Sequence, residues 1–254
     1  MRILNLNRLI MKYLVVVLCF LSTISTLSLN AQDSLNQLDE KGRRQGAWQK
    51  TDHLGRLIYK GSFHDDKPQG TFIYYDTTGK VKAETRYSAN GSRANTTSFY
   101  PSGRKMSEGL YLNEKREGEW KYFNQDTILI SEEHYENGLA VGVWKNFYQN
   151  GALLEEITYK NGVKDGPWKQ YYYDGPLKLS ARYINGKLEG LATFFHPNGR
   201  VMISGPYKSH RKDGVWMYLD DKGVAEKKEV WADGFLMAEE YYNKDLERMV
   251  KEEK

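Results

Sequence analysis

The sequence predicts an all-β fold: an elongated, single-layer antiparallel meander of about eight β-hairpin repeats of 24 residues each. Three observations predict it. Glycines recur on one ladder with a step of 24, aromatic residues recur at fixed offsets from them, and Asn-Gly pairs lie between the aromatic runs. Aromatics favour strands, whereas Gly and Asn-Gly supply the positive φ of tight turns. A fixed period of this length is the mark of repeat architectures, in which each unit buries its apolar face against its neighbours.

The ladder is Gly46, Gly70, Gly118, Gly142, Gly166, Gly190 and Gly214, with Ala94 on the third rung, so units 1 to 8 start at residues 46, 70, 94, 118, 142, 166, 190 and 214. Counting each rung as position 0, position 2 is aromatic in six units: Trp48, Phe72, Trp120, Trp144, Trp168 and Trp216. Position 5 carries Tyr75, Phe99, Phe123, Phe147, Tyr171 and Phe195, and position 17 is aromatic throughout, from Phe63 to Trp231. Position 9 is Gly in seven units, and Asn137-Gly138, Asn161-Gly162 and Asn185-Gly186 stand at positions 19 and 20. Asn-Gly between aromatic runs is a strong hairpin signal. Two turns per unit give two strands per unit, hence about 16 antiparallel strands.

A two-residue turn at positions 8 and 9 makes facing positions sum to 17. Gly142 then faces Tyr159, Trp144 faces Ile157 and Lys145 faces Glu156, while Phe147 faces Leu154, Phe123 faces Ile130 and Phe99 faces Met106. The expected rule is large over small, with a ring lying over each ladder glycine and the position-2 ring over position 15, as in Trp48 with Gly61. On this register Gly142→Val crowds the Tyr159 ring. The other face pairs Lys121 with Glu132 and Lys145 with Glu156 as cross-strand ion pairs. Each face carries an apolar stripe edged by charge.

Residues 1–31 read as a secretory signal peptide: Arg2, Arg8 and Lys12 without an acid, an apolar run from Tyr13 to Leu21, then Ser/Thr up to Ala31. The apolar run is too short for a bilayer core of roughly 30 Å. Either Met1 or Met11 serves as the start. Residues 32–45 form a lead-in, 46–237 the repeat domain and 238–254 a C-terminal cap or tail that suits a short helix. The expected location is therefore the periplasm, the outer-membrane surface or the extracellular space. The leader's three basic residues account for most of the excess of 37 Lys and Arg over 33 Asp and Glu. The nearly neutral remainder gives no electrostatic case for nucleic acid. Cys19, the one cysteine, lies in the leader, so the rest has neither disulfide nor thiolate chemistry.

Gly142-Val-Trp144-Lys-Asn-Phe147, Asn150-Gly151 and Tyr159-Lys-Asn-Gly162-Val-Lys-Asp-Gly166 together form a Gly-x-Trp-x-x-aromatic, Asn-Gly, Tyr-x-Asn-Gly-x-x-x-Gly pattern. It resembles the bacterial variant of the MORN repeat, in the group labelled YwqK-type antitoxin, over roughly residues 42–238. Units 3, 4 and 7 depart from it: Ala94 and Thr96 lack the first glycine and aromatic, Asn124–Thr127 lack the turn glycine, and Ala192 replaces the Trp. The resemblance implies an elongated hairpin sheet that mediates protein or membrane contacts. Eukaryotic relatives are linked to phospholipid binding. The antitoxin label implies a cytosolic partner, which the leader argues against.

The function expected is a non-enzymatic exported scaffold for protein or envelope contacts, with no cofactor and no metal. Its five histidines, His53, His64, His134, His196 and His210, fall at five different repeat positions, and no nucleophile, phosphate-loop or metal spacing occurs. The alternative is binding of a cell-wall or extracellular glycan. The candidate binding residues are Trp48, Phe72, Trp120, Trp144, Trp168 and Trp216, since equivalent rings two strands apart recur at about 9.6 Å, close to a β-linked disaccharide. Against this stands packing of the same rings on neighbouring strands. Anionic lipid is a weaker candidate through the row Lys121, Lys145 and Lys169, which faces glutamates.

Overall fold

The computed structural model describes residues 34–242, so the leader and the last twelve residues lie outside the description. The described chain is one 21-stranded antiparallel meander in which each hairpin leg pairs with the legs before and after it. The eight units supply sixteen of its legs, three of them split in two at a bulge. The other two are Gln37–Leu38 in front and Phe235–Tyr241 behind. The latter pairs with Ala225–Ala232, so the segment expected to open a helical tail continues the sheet through Tyr241. Ala89–Gly91 forms a 3-10 turn between strands.

The central register is as expected: Gly142 faces Tyr159, Trp144 faces Ile157 and Lys145 faces Glu156. The turn that produces it is different. In unit 5, Tyr148 N–H donates to Ala152 O at 2.8 Å and Gly151 N–H to Tyr148 O at 2.9 Å, closing a three-residue loop. Gly151 is left-handed, at φ 82°. This is the type I turn with a trailing left-handed residue, not a two-residue type I′ turn. A three-residue loop shifts the register by one, and a bulge at position 12 restores it. Phe147 therefore faces Leu153 rather than Leu154, Phe123 faces Leu129 rather than Ile130, and Phe99 faces Lys105 rather than Met106. The turn at positions 19 and 20 is a true two-residue turn. Asn161 and Gly162 have φ of 49° and 82°, and Lys160 pairs with Val163.

The ladder glycine has a different reason from the one expected. Between the pairs Ile157–Trp168 and Tyr159–Lys164, Thr158 is opposed by Asp165, Gly166 and Pro167, a bulge of two extra residues. The ladder glycines sit in these bulges with positive φ, for example 66° at Gly142 and 72° at Gly214. No aromatic ring stands where their Cβ would be: a Cβ at Gly142 would meet only His134 Cβ, at 3.9 Å. The expected crowding of Tyr159 by Gly142→Val is thus corrected to a backbone penalty. Unit 3 makes the point by exception. Ala94 is not left-handed, its strand pairs without a break from Ser88–Arg93 to Ala83–Ser98, and the two extra residues move into a four-residue loop, Ala89–Ser92.

Burial is one-sided. The buried side chains Phe63, Phe72, Thr85, Ala94, Ser107, Trp120, Ile157, Leu179, Ala181, Tyr183, Ala192, Trp216 and Glu229 all stand at positions 0, 2, 13, 15 or 17, on one face. The other face holds the Lys and Glu rows. Among the described residues no ion pair joins Lys145 to Glu156 or Lys121 to Glu132. Lys121 instead pairs with Glu119 at 3.0 Å, and Tyr171 Oη donates to Glu156 at 2.8 Å.

Candidate functional site: the aromatic face and its exposed reverse

The position-2 rings are structural staples across the boundary between units. Trp120 Nε1 donates to Leu110 O at 3.1 Å, Trp144 Nε1 to His134 O at 3.1 Å and Trp216 Nε1 to Pro206 O at 3.0 Å. Each acceptor is the position-16 carbonyl of the preceding unit, beside the bulge. His134 O also accepts from Val141 N–H, and Pro206 O from Asp213 N–H. A carbonyl has two lone pairs, so ring and bulge are fastened to one oxygen. Trp168 instead donates to Glu155 Oε1 at 2.6 Å, and Trp48 to Gln45 O at 3.1 Å.

Large over small does hold, but between units rather than within them. A Cβ on Gly61 would strike the ring of Phe72, one on Gly109 the ring of Trp120, and one on Gly205 the ring of Trp216. These three rings, each lying on a position-15 glycine of the previous unit, are the buried ones, at 3%, 3% and 1% exposure. They are closed to stacking by a sugar. Trp48, Trp144 and Trp168 are half-buried and keep part of a face in solvent. Thr96 and Ala192 interrupt the row, so the six candidate residues do not form one continuous platform.

Two features of this face escaped the sequence reading. Cations at position 22 stack on the rings: the Arg116 guanidinium lies 4.9 Å from the Trp120 ring, and Lys212 Nζ lies 4.5 Å from Trp216 and 4.7 Å from Trp231. Position 6 links successive units. Tyr100, Tyr148 and Tyr172 donate their phenol O–H to the backbone oxygens of Phe123, Tyr171 and Phe195 at 2.8, 2.8 and 2.6 Å, and His196 Nε2 lies 2.9 Å from Leu219 O. Where position 6 is Asp or Asn, it caps its own turn instead, as Asp52 accepts from Leu54 and Arg56 N–H. The signal was present, since Tyr or His at this position recurs in four units.

The last unit buries a charge. Glu229 accepts from Tyr218 Oη at 2.6 Å and Trp231 Nε1 at 2.8 Å, with Lys227 and Lys212 at 2.5 and 3.2 Å. Burial alone would raise its pKa. The hydrogen bonds from Lys227, Tyr218, Trp231 and Lys212 outweigh that and hold it at about 2.

Unit 3 leaves a gap. With Thr96 where other units carry a ring, a recess of about 290 Å³ opens, lined by Tyr74, Ala83, Thr85, Tyr87, Ala94 and Tyr111, with Glu114 at its rim. Thr85 Oγ1 and Thr96 Oγ1 bond to each other at 3.0 Å, and Tyr74 Oη and Tyr87 Oη at 3.1 Å. Unit 7 also lacks the ring, yet Ala192 is 1% exposed, in a buried cluster with Leu179, Ala181 and Trp216 against which Trp168, Leu188 and Phe194 pack.

On the reverse face, position 1 of the last four units is apolar and exposed. Val143, Leu191 and Val215 are 41%, 64% and 45% exposed, and Pro167 continues the row. Equivalent residues lie two strands apart, at about 10 Å. Among the described residues no helix is long and apolar enough to cross a membrane, and no cluster of three His, Cys, Asp or Glu residues is placed to hold a metal.

Residues 68–89, 140–161 and 188–209 match the family described as the MORN repeat variant. Each match begins two residues before a ladder glycine and covers most of unit 2, 5 or 7. No curated protein matches the chain. Among solved structures, the chain is similar to TarM at 22% identity over 37% of this chain and 20% of that one, with a TM-score of 0.28. A point mutant of S. aureus TarM crystallised with fondaparinux, α-GlcNAc-glycerol and UDP matches at 18% identity over 49% and 22% of the two chains, with a TM-score of 0.30. TcdB2-TccC3 without its hypervariable C-terminal region matches at 12% identity over 74% and 13%, with a TM-score of 0.18. The chain thus spans only about a fifth of the length of TarM.

Proposed function

We propose that this chain, three stretches of which match the MORN repeat variant, is a repeat scaffold for protein or membrane contacts that is exported, non-enzymatic and holds a protein partner of the cell envelope. The observation that carries the reading is the exposed apolar row Val143, Pro167, Leu191 and Val215 on the reverse face. The recurrent aromatics and glycines of the other face are taken up by bulges, staples and turns. The position-1 row has no such use, and exposed apolar rows of this kind are where protein partners bind. The leader of residues 1–31 supports export to the periplasm, the outer-membrane surface or beyond.

The test is capture from envelope extract with immobilised protein lacking residues 1–31, wild type beside the double variant Leu191→Glu and Val215→Glu. The reading expects a discrete protein retained by wild type and lost from the variant, with an unchanged circular dichroism spectrum. Retention instead on an insoluble polysaccharide, lost on replacing Trp144 and Trp168, would favour the glycan alternative. Mass spectrometry of the mature N-terminus near Gln32 checks export, and an intact Met1 or Met11 on cytosolic protein contradicts it.

A further inference from the structure

We propose that the recess around Thr96 is a socket for one aromatic side chain of a partner polypeptide, seated above Thr85 between the position-17 rings that flank the rings of other units. The proposal deepens the scaffold reading and rests on it, naming how a partner is anchored on the aromatic face.

The protein itself displays what fits such a site. In units 2, 4 and 8 the position-2 ring lies directly on a position-15 glycine and becomes buried, whereas in unit 6 Trp168 sits half-buried over Ile157. At the same place in unit 3, Thr96 stands over Thr85 and the ring is absent. The position-17 aromatics that flank every ring remain, as Tyr87 and Tyr111, and Tyr74 stands at position 4. In the filled units the equivalent neighbours meet the ring edge-on, as Phe63 and Tyr87 meet Phe72 with centroids 5.1 Å away, and Tyr111 meets Trp120 at 4.9 Å. Edge-to-face contacts at such distances are the favoured aromatic geometry. The Thr96 recess thus keeps the aromatic walls and lacks the ring, and with Thr85 rather than glycine beneath it a ring would rest above the threonine, as Trp168 rests over Ile157.

The volume is adequate. An apolar cavity of about 150 Å³ holds benzene, and this recess measures about 290 Å³. Its polar groups are turned on one another, Thr85 to Thr96 and Tyr74 to Tyr87. The recess therefore presents mainly threonine, alanine and tyrosine side chains, with Ser92 and Glu114 also in its lining. A sugar needs several hydrogen-bond partners aimed at it, whereas an aromatic side chain needs only these surfaces. Unit 7 shows that the chain can close the same vacancy when its own side chains reach it, since Ala192 is covered. At Thr96 it does not.

The experiment is a titration of the full mature chain, isotopically labelled, with N-acetyl-tryptophanamide, followed by NMR. Saturable shifts confined to Thr85, Thr96, Tyr74, Tyr87 and Tyr111 are expected. Thr96→Trp, which supplies the ring from within, should abolish them. Should that variant not fold, Ala83→Ile narrows the recess from another wall and should weaken binding at least tenfold. No saturable shift, shifts centred elsewhere, or N-acetylglucosamine moving these signals where the tryptophan derivative does not, would overturn the socket. A partner captured through Leu191 and Val215 while this titration fails would remove the socket and leave the scaffold standing.

Discussion

Thr127 is the residue at which the repeat is most visibly strained. It occupies position 9, where seven units have glycine, and it takes φ of 63° with a β-branched side chain. Such a residue in the left-handed region costs on the order of 1–2 kcal/mol. Thr127→Gly should therefore stabilise the protein by about 1 kcal/mol, read as a higher urea midpoint at unchanged slope. Gly142→Val should destabilise by a similar amount through φ alone. A crystal structure of that variant should show the Tyr159 ring unmoved. Glu229 sets a pH dependence. Its pKa is about 2 in the folded chain against an ordinary 4.5. A depressed carboxylate contributes stability that is complete above the unfolded value and lost as pH falls through the folded one. Stability should fall as pH drops from about 4.5 towards 2, and Glu229→Gln should flatten this limb while lowering stability at neutral pH. A variant with an unchanged acid limb would show that the network does not set it.

At the scale of the hairpin, the central register was legible because turn glycines, ring spacing and a constant step all pointed to one pairing. Its cause was not legible. A two-residue turn and a three-residue turn followed by a bulge both give facing positions that sum to 17 at positions 0 to 4. They separate only beyond position 4, as in the pairing of Phe147 with Leu153. The role of the ladder glycine was hidden likewise, since a ring above a glycine and a positive φ leave the same residue in the sequence. Ala94 carried the missing clue: without the glycine, the bulge moves into the Ala89–Ser92 loop. The candidate row at position 2 was correctly placed on one face, but which rings are covered depends on position 15 of the unit before, where Gly61, Gly109 and Gly205 let them down onto the strand. Trp120→Ala, which empties such a contact, should cost about 3–5 kcal/mol. Tyr148→Phe should remove only its bond to Tyr171 O, at about 1 kcal/mol, by chemical denaturation. A loss at Tyr148 as large as that at Trp120 would show that position 6, rather than position 2, holds neighbouring units together.

For the molecule as a whole, nearest-neighbour contacts are all that a single-layer meander has, so one face must supply the core and the other is free. The aromatic face supplies it, by laying each ring on the strand before it and fastening the indole to the bulge. This division leaves the reverse face, with its exposed position-1 row across units 5 to 8, as a broad surface available to a partner, beside the Thr96 recess of the aromatic face. The periodicity announced the scaffold, but the partner has no counterpart in a repeat whose aromatics and glycines serve the fold. The most direct measurement is therefore the comparison of envelope-extract capture by the wild-type mature chain and by the Leu191→Glu, Val215→Glu variant. The account predicts a discrete retained protein that disappears when the row is charged while the fold is kept. The same protein retained equally by both would contradict it.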